Sequence, residues 1–200
     1  MLTILVTGGI GSGKSAVCAL LRERGVPVYD CDSRVKELYL IRKELVPSLE
    51  KALGCPLRLP DGTLDKARLA SLIFSDPSAR ETLEGIVYPI LREDLESWKQ
   101  RQKAPLAVIE SALILSKPMF DGVADAVVLV EASEQLRIQR VMERDGASRE
   151  EVQRRISAQH FPLEKVNLTL VNEDTPEALS AAVDRVFFNK NSYLYKFIED

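Results

Sequence analysis

Gly8-Gly9-Ile10-Gly11-Ser12-Gly13-Lys14-Ser15 fills every fixed position of the pattern G-x-x-x-x-G-K-[ST], and no other feature constrains this chain so tightly. A strand-like apolar run, Leu2-Thr3-Ile4-Leu5-Val6, precedes it, and Ser15 to Arg24 follows with apolar residues at helical spacing. Strand, glycine loop and helix in that order are the context in which the pattern binds phosphate. Glycines let the backbone curl so that successive N–H groups point inward at an anion. The helix adds its unpaired first-turn donors and its positive dipole end. Gly9, Gly11, Ser12, Gly13, Lys14, Ser15 and Ala16 are therefore the expected nucleotide-binding residues. Lys14 is directed at the β/γ-phosphates, and the Ser15 hydroxyl is placed to ligand Mg²⁺. A guanine-nucleotide switch would also need D-x-x-G and N-K-x-D. No aspartate stands three residues before a glycine, and Asn189-Lys190 is followed by Asn191-Ser192.

The rest of the chain supports an α/β reading. Val26 to Asp30, Leu106 to Glu110, Ala126 to Val130 and Leu168 to Val171 are short strand candidates. The third of these is apolar on both faces, as in a strand covered by helices on both sides. Between Asp32 and Lys103 there are only helical patterns, broken at Gly54, Pro56, Pro60, Asp61-Gly62, Pro77 and Pro89. Asp76-Pro77 and Thr175-Pro176 read as helix caps followed by proline at the first helical position. Ser133 to Gln159 is a second helical segment, rich in arginine, in which Ser148 and Glu151 have capping-box spacing. We expect one unit over 1–200, with a core of 1–31, 104–132 and 161–200, a helical insertion 32–103 and a lid 133–160. At about 150 residues per domain, a chain of 200 residues leaves room for one domain with an elaboration or for two small ones.

Composition excludes several classes. A hydrophobic fraction of 46% supports a core and rules out a disordered chain. A net charge of −3 without a basic tail argues against a nucleic-acid binder, whose affinity comes largely from phosphate neutralisation. No apolar run approaches the roughly 20 residues of a membrane span, and no signal-peptide pattern is present. Cys18, Cys31 and Cys55 form no CxxC pair, and His160 is the single histidine. Neither a disulfide scaffold nor a zinc site is expected, which points to the reducing cytoplasm.

Two further constellations surround the loop. Asp30 and Asp32 flank Cys31 at the carboxyl end of the second strand, where ligands bind in open parallel sheets. Strand alternation would turn both carboxylates to one side, one to take a proton and the other to orient water, although a cap or a solvated turn would use the same residues. Arg137, Arg140 and Arg144 share a helical face by their spacing, and Arg155 and Gln159 share a face of the next helix. Closing arginines over a migrating phosphoryl group neutralises charge and excludes water. A solvated face paired with Glu143 and Glu151 is the simpler alternative.

Together these segments resemble the dephospho-coenzyme A kinase family. Val6 to Ser15 looks like its opening, and Val28-Tyr29-Asp30-Cys31-Asp32 is similar to its D-x-D strand end. Asp61-Gly62-Thr63-Leu64-Asp65-Lys66-Ala67-Arg68-Leu69, continuing through Ile73-Phe74-Ser75-Asp76-Pro77, resembles its substrate-domain signature. Arg144-Asp145 with Arg155 to Gln159 resembles its lid. The resemblance implies a three-layer P-loop kinase fold with a five-stranded parallel sheet, a helical substrate domain and a lid. It implies transfer of the ATP γ-phosphate to the 3′-hydroxyl of dephospho-coenzyme A, with Mg²⁺, as the last step of coenzyme A synthesis. By position it makes Asp32 the base and Asp30 its companion, brings Arg140 to the ATP phosphates and Asn172 near the adenine, and puts Leu64 and Tyr88 on the substrate side. Lys14, Asp32 and Arg140 are thus the expected catalytic residues.

The chain departs from the family pattern at Tyr88-Pro89, where His-Pro is usual, at Glu110-Ser111-Ala112-Leu113-Ile114, where an acid is kept and a proline lost, and at Ser116, where a glutamate is usual. Other small-molecule P-loop kinases, on a nucleoside, nucleotide or sugar-like acceptor, are the nearest alternative, and a nucleotide-binding switch the more distant one.

Overall fold

In the computed structural model, which describes residues 1–159 and 161–194, five strands form one parallel sheet. They are β1 (Leu2–Thr7), β2 (Val28–Asp30), β3 (Leu106–Glu110), β4 (Ala126–Glu131) and β5 (Leu168–Val171), in the order β2-β3-β1-β4-β5. The fold expected from the sequence is the one observed. β1 is central and buried along its whole length, with Val6 opposite Glu110 on one side and Val128 on the other. The helix α1 (Lys14–Glu23) and the helix α8 (Pro176–Phe187) pack together beside the sheet. Val17, Cys18 and Leu21 of α1 meet Leu179, Val183 and Phe187 of α8 and the strand residues Ile4, Val6 and Val128 in one core. Such a core is the main source of the fold's stability, at about 25 cal/mol per Å² of apolar surface removed from water.

β2 is shorter than the expected Val26 to Asp30, for a local reason. The Val26 N–H closes the end of α1 on the Leu21 carbonyl (3.0 Å), and Pro27 has no N–H for a ladder.

The chain divides into two compact units, Met1–Asp30 with the described part of Arg101–Asp200, and Cys31–Gln100. The second unit is helical: α2 (Cys31–Ile41), α3 (Leu45–Leu53), α4 (Lys66–Ser75) and α5 (Pro77–Gln100). α5 presents Val87, Leu91 and Leu95 on one buried stripe and packs against the other three helices. Arg34 of α2 grips Asp94 of α5 through two hydrogen bonds of 2.7 Å.

The sequence pattern predicts a helix break at Pro89, but α5 runs through it. Proline leaves the Gly85 carbonyl without its helical donor, but Gly85 and Pro89 both lie on the exposed face, where the carbonyl is open to solvent. Burial of the opposite stripe outweighs the loss.

In the first unit, α6 (Glu134–Asp145) and α7 (Arg149–Ser157) form a helical hairpin, and Ser148 caps α7 by accepting the Glu151 N–H. His160, at the end of the expected lid, and residues 195–200, at the end of the expected core segment, lie outside the described residues. No helix among the described residues is long and apolar enough to cross a membrane.

Candidate active site

The loop Gly8 to Gly13 leaves the carboxyl end of β1 and feeds directly into α1. Its turn is closed by the Ser12 N–H on the Gly9 carbonyl (3.1 Å), and α1 begins with the Ala16 N–H on the Gly13 carbonyl (3.0 Å). Two glycines are required by geometry. Gly13 has φ +91°, and a Cβ there would run into the Asn172 amide; Gly11 has φ +79°, and a Cβ would run into the backbone of Arg137. Asn172, which the resemblance put near an adenine, is buried just past β5 and donates to the Ser12 carbonyl (2.8 Å), so its amide braces the loop from below.

Lys14 and Ser15, the head of α1, converge on Glu110, the last residue of β3. The Ser15 hydroxyl donates to Glu110 Oε1 at 2.7 Å, and Lys14 Nζ donates to the same oxygen at 3.3 Å. The Arg22 guanidinium lies 3.5 Å from the other oxygen. Glu110 is only 4% exposed, so these donors stand where water would otherwise solvate its carboxylate. Cys18 lies in the same stripe of α1, where burial first and the Glu110 charge second push its thiol well up, keeping it protonated. In strand register Asp30 is the neighbour of Glu110, so two carboxylates end adjacent strands.

Asp32 is not on the strand. β2 ends at Asp30 and α2 starts at Cys31, which puts Asp32 in the first turn of a helix. The alternation argument for a shared face of Asp30 and Asp32 therefore fails, because the two residues have different backbone geometry. A helix N-terminus still favours a carboxylate. Within the helical unit, burial, then Glu84 and then Asp32 push the Tyr88 phenol well up, so it remains a neutral O–H. It donates to Glu84 Oε1 at 3.4 Å.

The segment containing Leu64 is a tight turn. Asp61 accepts from the Thr63 N–H and hydroxyl, Leu64 bridges Arg58, and Asp65 caps α4 by accepting the Arg68 N–H.

The arginines separate into two groups. Arg137 Nε donates to the Ile10 carbonyl at 2.9 Å, and Arg140 reaches the Gly11 carbonyl at 3.5 Å. Burial draws the Arg137 guanidinium down from its usual value, against the pull of Glu134 and Glu131. Arg144 instead chelates Asp145, and Arg155 pairs with Glu151 and Asp145. Gln159 does not share a helical face with Arg155, since α7 ends at Ser157. The amide of Gln159 turns to the loop and accepts the Ile10 N–H at 2.8 Å.

The sequence pattern gives Glu110 and Arg22 no site role, and it places Arg137 and Gln159 only on the faces of the expected lid. One signal was readable for the first: an acid closing a buried apolar strand. Arg22 stands eight residues after Lys14 and four after Cys18, on one helical stripe.

Comparison with known proteins agrees on one family. Residues 2–175 match the family model described as dephospho-CoA kinase. The dephospho-CoA kinase of Porphyromonas gingivalis is 40% identical over 159 residues, covering 80% of this chain and 78% of that protein. The Geobacter sulfurreducens enzyme of the same description is 36% identical over 189 residues, covering 91% and 95%. Among solved structures, a Thermus thermophilus protein superposes with a TM-score of 0.78 at 37% identity, covering 92% of this chain and 95% of that one.

Proposed function

This chain belongs to the dephospho-CoA kinase family, and from that premise we propose how its own residues serve the family's reaction. The protein is a kinase that moves the γ-phosphoryl group of ATP to the 3′-hydroxyl of dephospho-coenzyme A, the last step of coenzyme A synthesis. The observation that carries the residue assignment is the convergence of Lys14 and Ser15 on Glu110 at the head of α1.

Lys14 is the point charge for the β/γ-phosphates, and it moves to them from Glu110. Gly9, Gly11, Ser12, Gly13, Lys14, Ser15 and Ala16 hold the phosphate chain, and Arg140, with Arg137 beside it, offsets charge on the migrating oxygens. Asp32 takes the proton of the attacking hydroxyl, with Asp30 as its companion, and a general base of this kind contributes about 10²–10⁴-fold. Tyr88 and Leu64 contact the acceptor, Tyr88 as a neutral hydrogen-bond donor. Asn172 borders the nucleotide while bracing Ser12.

Mg²⁺ fits the residues present. The Ser15 hydroxyl and the Glu110 carboxylate are hard oxygen donors held 2.7 Å apart, and Mg²⁺ is usually held by one or two such groups with phosphates and water. Among the described residues no three acidic, Cys or His side chains form a complete cage, in keeping with that partial donor set. Bound there, the ion would neutralise charge between the β- and γ-phosphates. Small molecules are the proposed partners, without nucleic acid or membrane. A reducing cytoplasm is the proposed location, supported by the free thiols of Cys18 and Cys55.

The deciding experiment incubates the protein with ATP, Mg²⁺ and dephospho-coenzyme A and weighs the acceptor by mass spectrometry. One added phosphoryl group per acceptor is expected. ATP consumption without transfer, or preferred transfer to a simple sugar alcohol or nucleoside, would overturn the assignment.

A further inference from the structure

Anion binding by a phosphate loop needs backbone N–H groups and small residues, and nothing in that task calls for a bulky β-branched side chain at the tip. Ile10 has another use. Its side chain packs on the small core inside the α6–α7 hairpin, formed by the buried residues Ile138, Val141 and Val152, beside Ala147 and Ile156. Its peptide is held at both ends. The N–H goes to Gln159 Oε1 (2.8 Å), and the carbonyl accepts from Arg137 Nε (2.9 Å). Residues 137 and 159 come from opposite ends of the hairpin in sequence, yet they meet on one loop residue. Gly11, the next residue, has room only for hydrogen because the Arg137 backbone lies against it.

We infer that Ile10 and Gln159 are positioning residues. Together they seat the α6–α7 hairpin on the phosphate loop, and this seat sets where Arg137 and Arg140 stand over the nucleotide phosphates. A hairpin core of three buried apolar side chains is small, so the Ile10 wall is a substantial part of it. Swinging the hairpin away breaks both polar bonds and exposes that core at once, which makes the seat all-or-none. Arg144 and Arg155 take no part, because their charges are satisfied by Asp145 and Glu151. The inference rests on the kinase reading for its kinetic consequences and on geometry alone for the seat.

The test combines hydrogen exchange with a double-mutant cycle. Ile10→Ala and Gln159→Ala should each speed amide exchange in 134–157 while leaving β1 and α1 unchanged. In single-turnover transfer, Ile10→Ala should slow the rate by about tenfold or more and change ATP affinity less than threefold, with Ile10→Val restoring most of the rate. In an Arg140→Ala background, Ile10→Ala should cost clearly less than it does in the wild-type protein, since much of its effect passes through that arginine and the remainder through Arg137. The seat is overturned if exchange in 134–157 does not rise in either variant, or rises throughout the protein. Its kinetic role is overturned if Ile10→Ala costs as much without Arg140 as with it. A wild-type protein that transfers nothing would count against the kinase reading alone, because the exchange result judges the seat independently.

Discussion

The two motif-bearing regions of this protein use their signature residues in opposite ways. At the carboxyl ends of β1 and β3, signature side chains are held by groups that a nucleotide would displace or join: Lys14 and Ser15 rest on Glu110, and Arg140 on a loop carbonyl. In the helical unit, the stretch Asp61 to Asp65 is occupied by its own chain. Asp61 fastens Thr63, and Asp65 caps α4. The first motif turns its side chains to a distant strand end, whereas the polar side chains of the second are engaged by the turn and helix start they encode.

The largest effect that can sharpen this contrast is Lys14→Ala. We expect turnover to fall roughly 10³-fold or more, since removing a single charge-stabilising group in a water-poor site already costs about 10²–10³-fold. Stability should fall by about 1–3 kcal/mol, because Glu110 stays buried with fewer partners. That leaves the protein folded, as a circular dichroism melt would verify. Near-normal turnover would dissolve the contrast at its stronger end.

Asp32→Asn comes next. It keeps the size and one acceptor oxygen but cannot take a proton, so turnover should drop by about 10²–10⁴-fold while ATP affinity survives. If Asp30→Asn proved the more damaging and Asp32→Asn cost under tenfold, the roles of the two acids would be exchanged.

Asp65→Ala probes the other region. Loss of the cap should lower stability by about 1 kcal/mol, seen as an earlier urea midpoint, with turnover of the folded protein changed less than threefold. A tenfold rise in the KM for dephospho-coenzyme A would instead bring Asp65 itself into the substrate site beside Leu64, and the contrast would break. Arg144→Ala should do least. Its side chain is 63% exposed and pairs with its sequence neighbour, and such surface pairs contribute little. Turnover within threefold of wild type is expected, and a loss comparable to that of Arg140→Ala would show that the hairpin arginines act as one group.

What the sequence by itself determined follows from short-range physics. Parallel strands declared themselves as apolar runs, the caps at Ser148 and Thr175 by polar residues at fixed offsets, and the phosphate loop by glycines for which no other residue substitutes. Each is a local rule, satisfied within a few residues. Where those rules met longer-range forces they failed. Pro89 did not end α5, because a buried stripe on the opposite face outweighed one hydrogen bond. Asp32 did not continue the strand, because α2 begins at Cys31.

Only the tertiary structure decided which side chains meet. Glu110 lies 96 residues from Lys14, and Gln159 lies 149 residues from Ile10. No periodicity in either segment encodes such partners. They are brought together by strand order, which sets β3 beside β1, and by the packing that seats α6–α7 on the loop. The sign and the size of a side chain are written in the sequence; the charge it will neutralise is chosen by the fold, because burial leaves a carboxylate such as Glu110 stable only where opposite charges and donors converge on it.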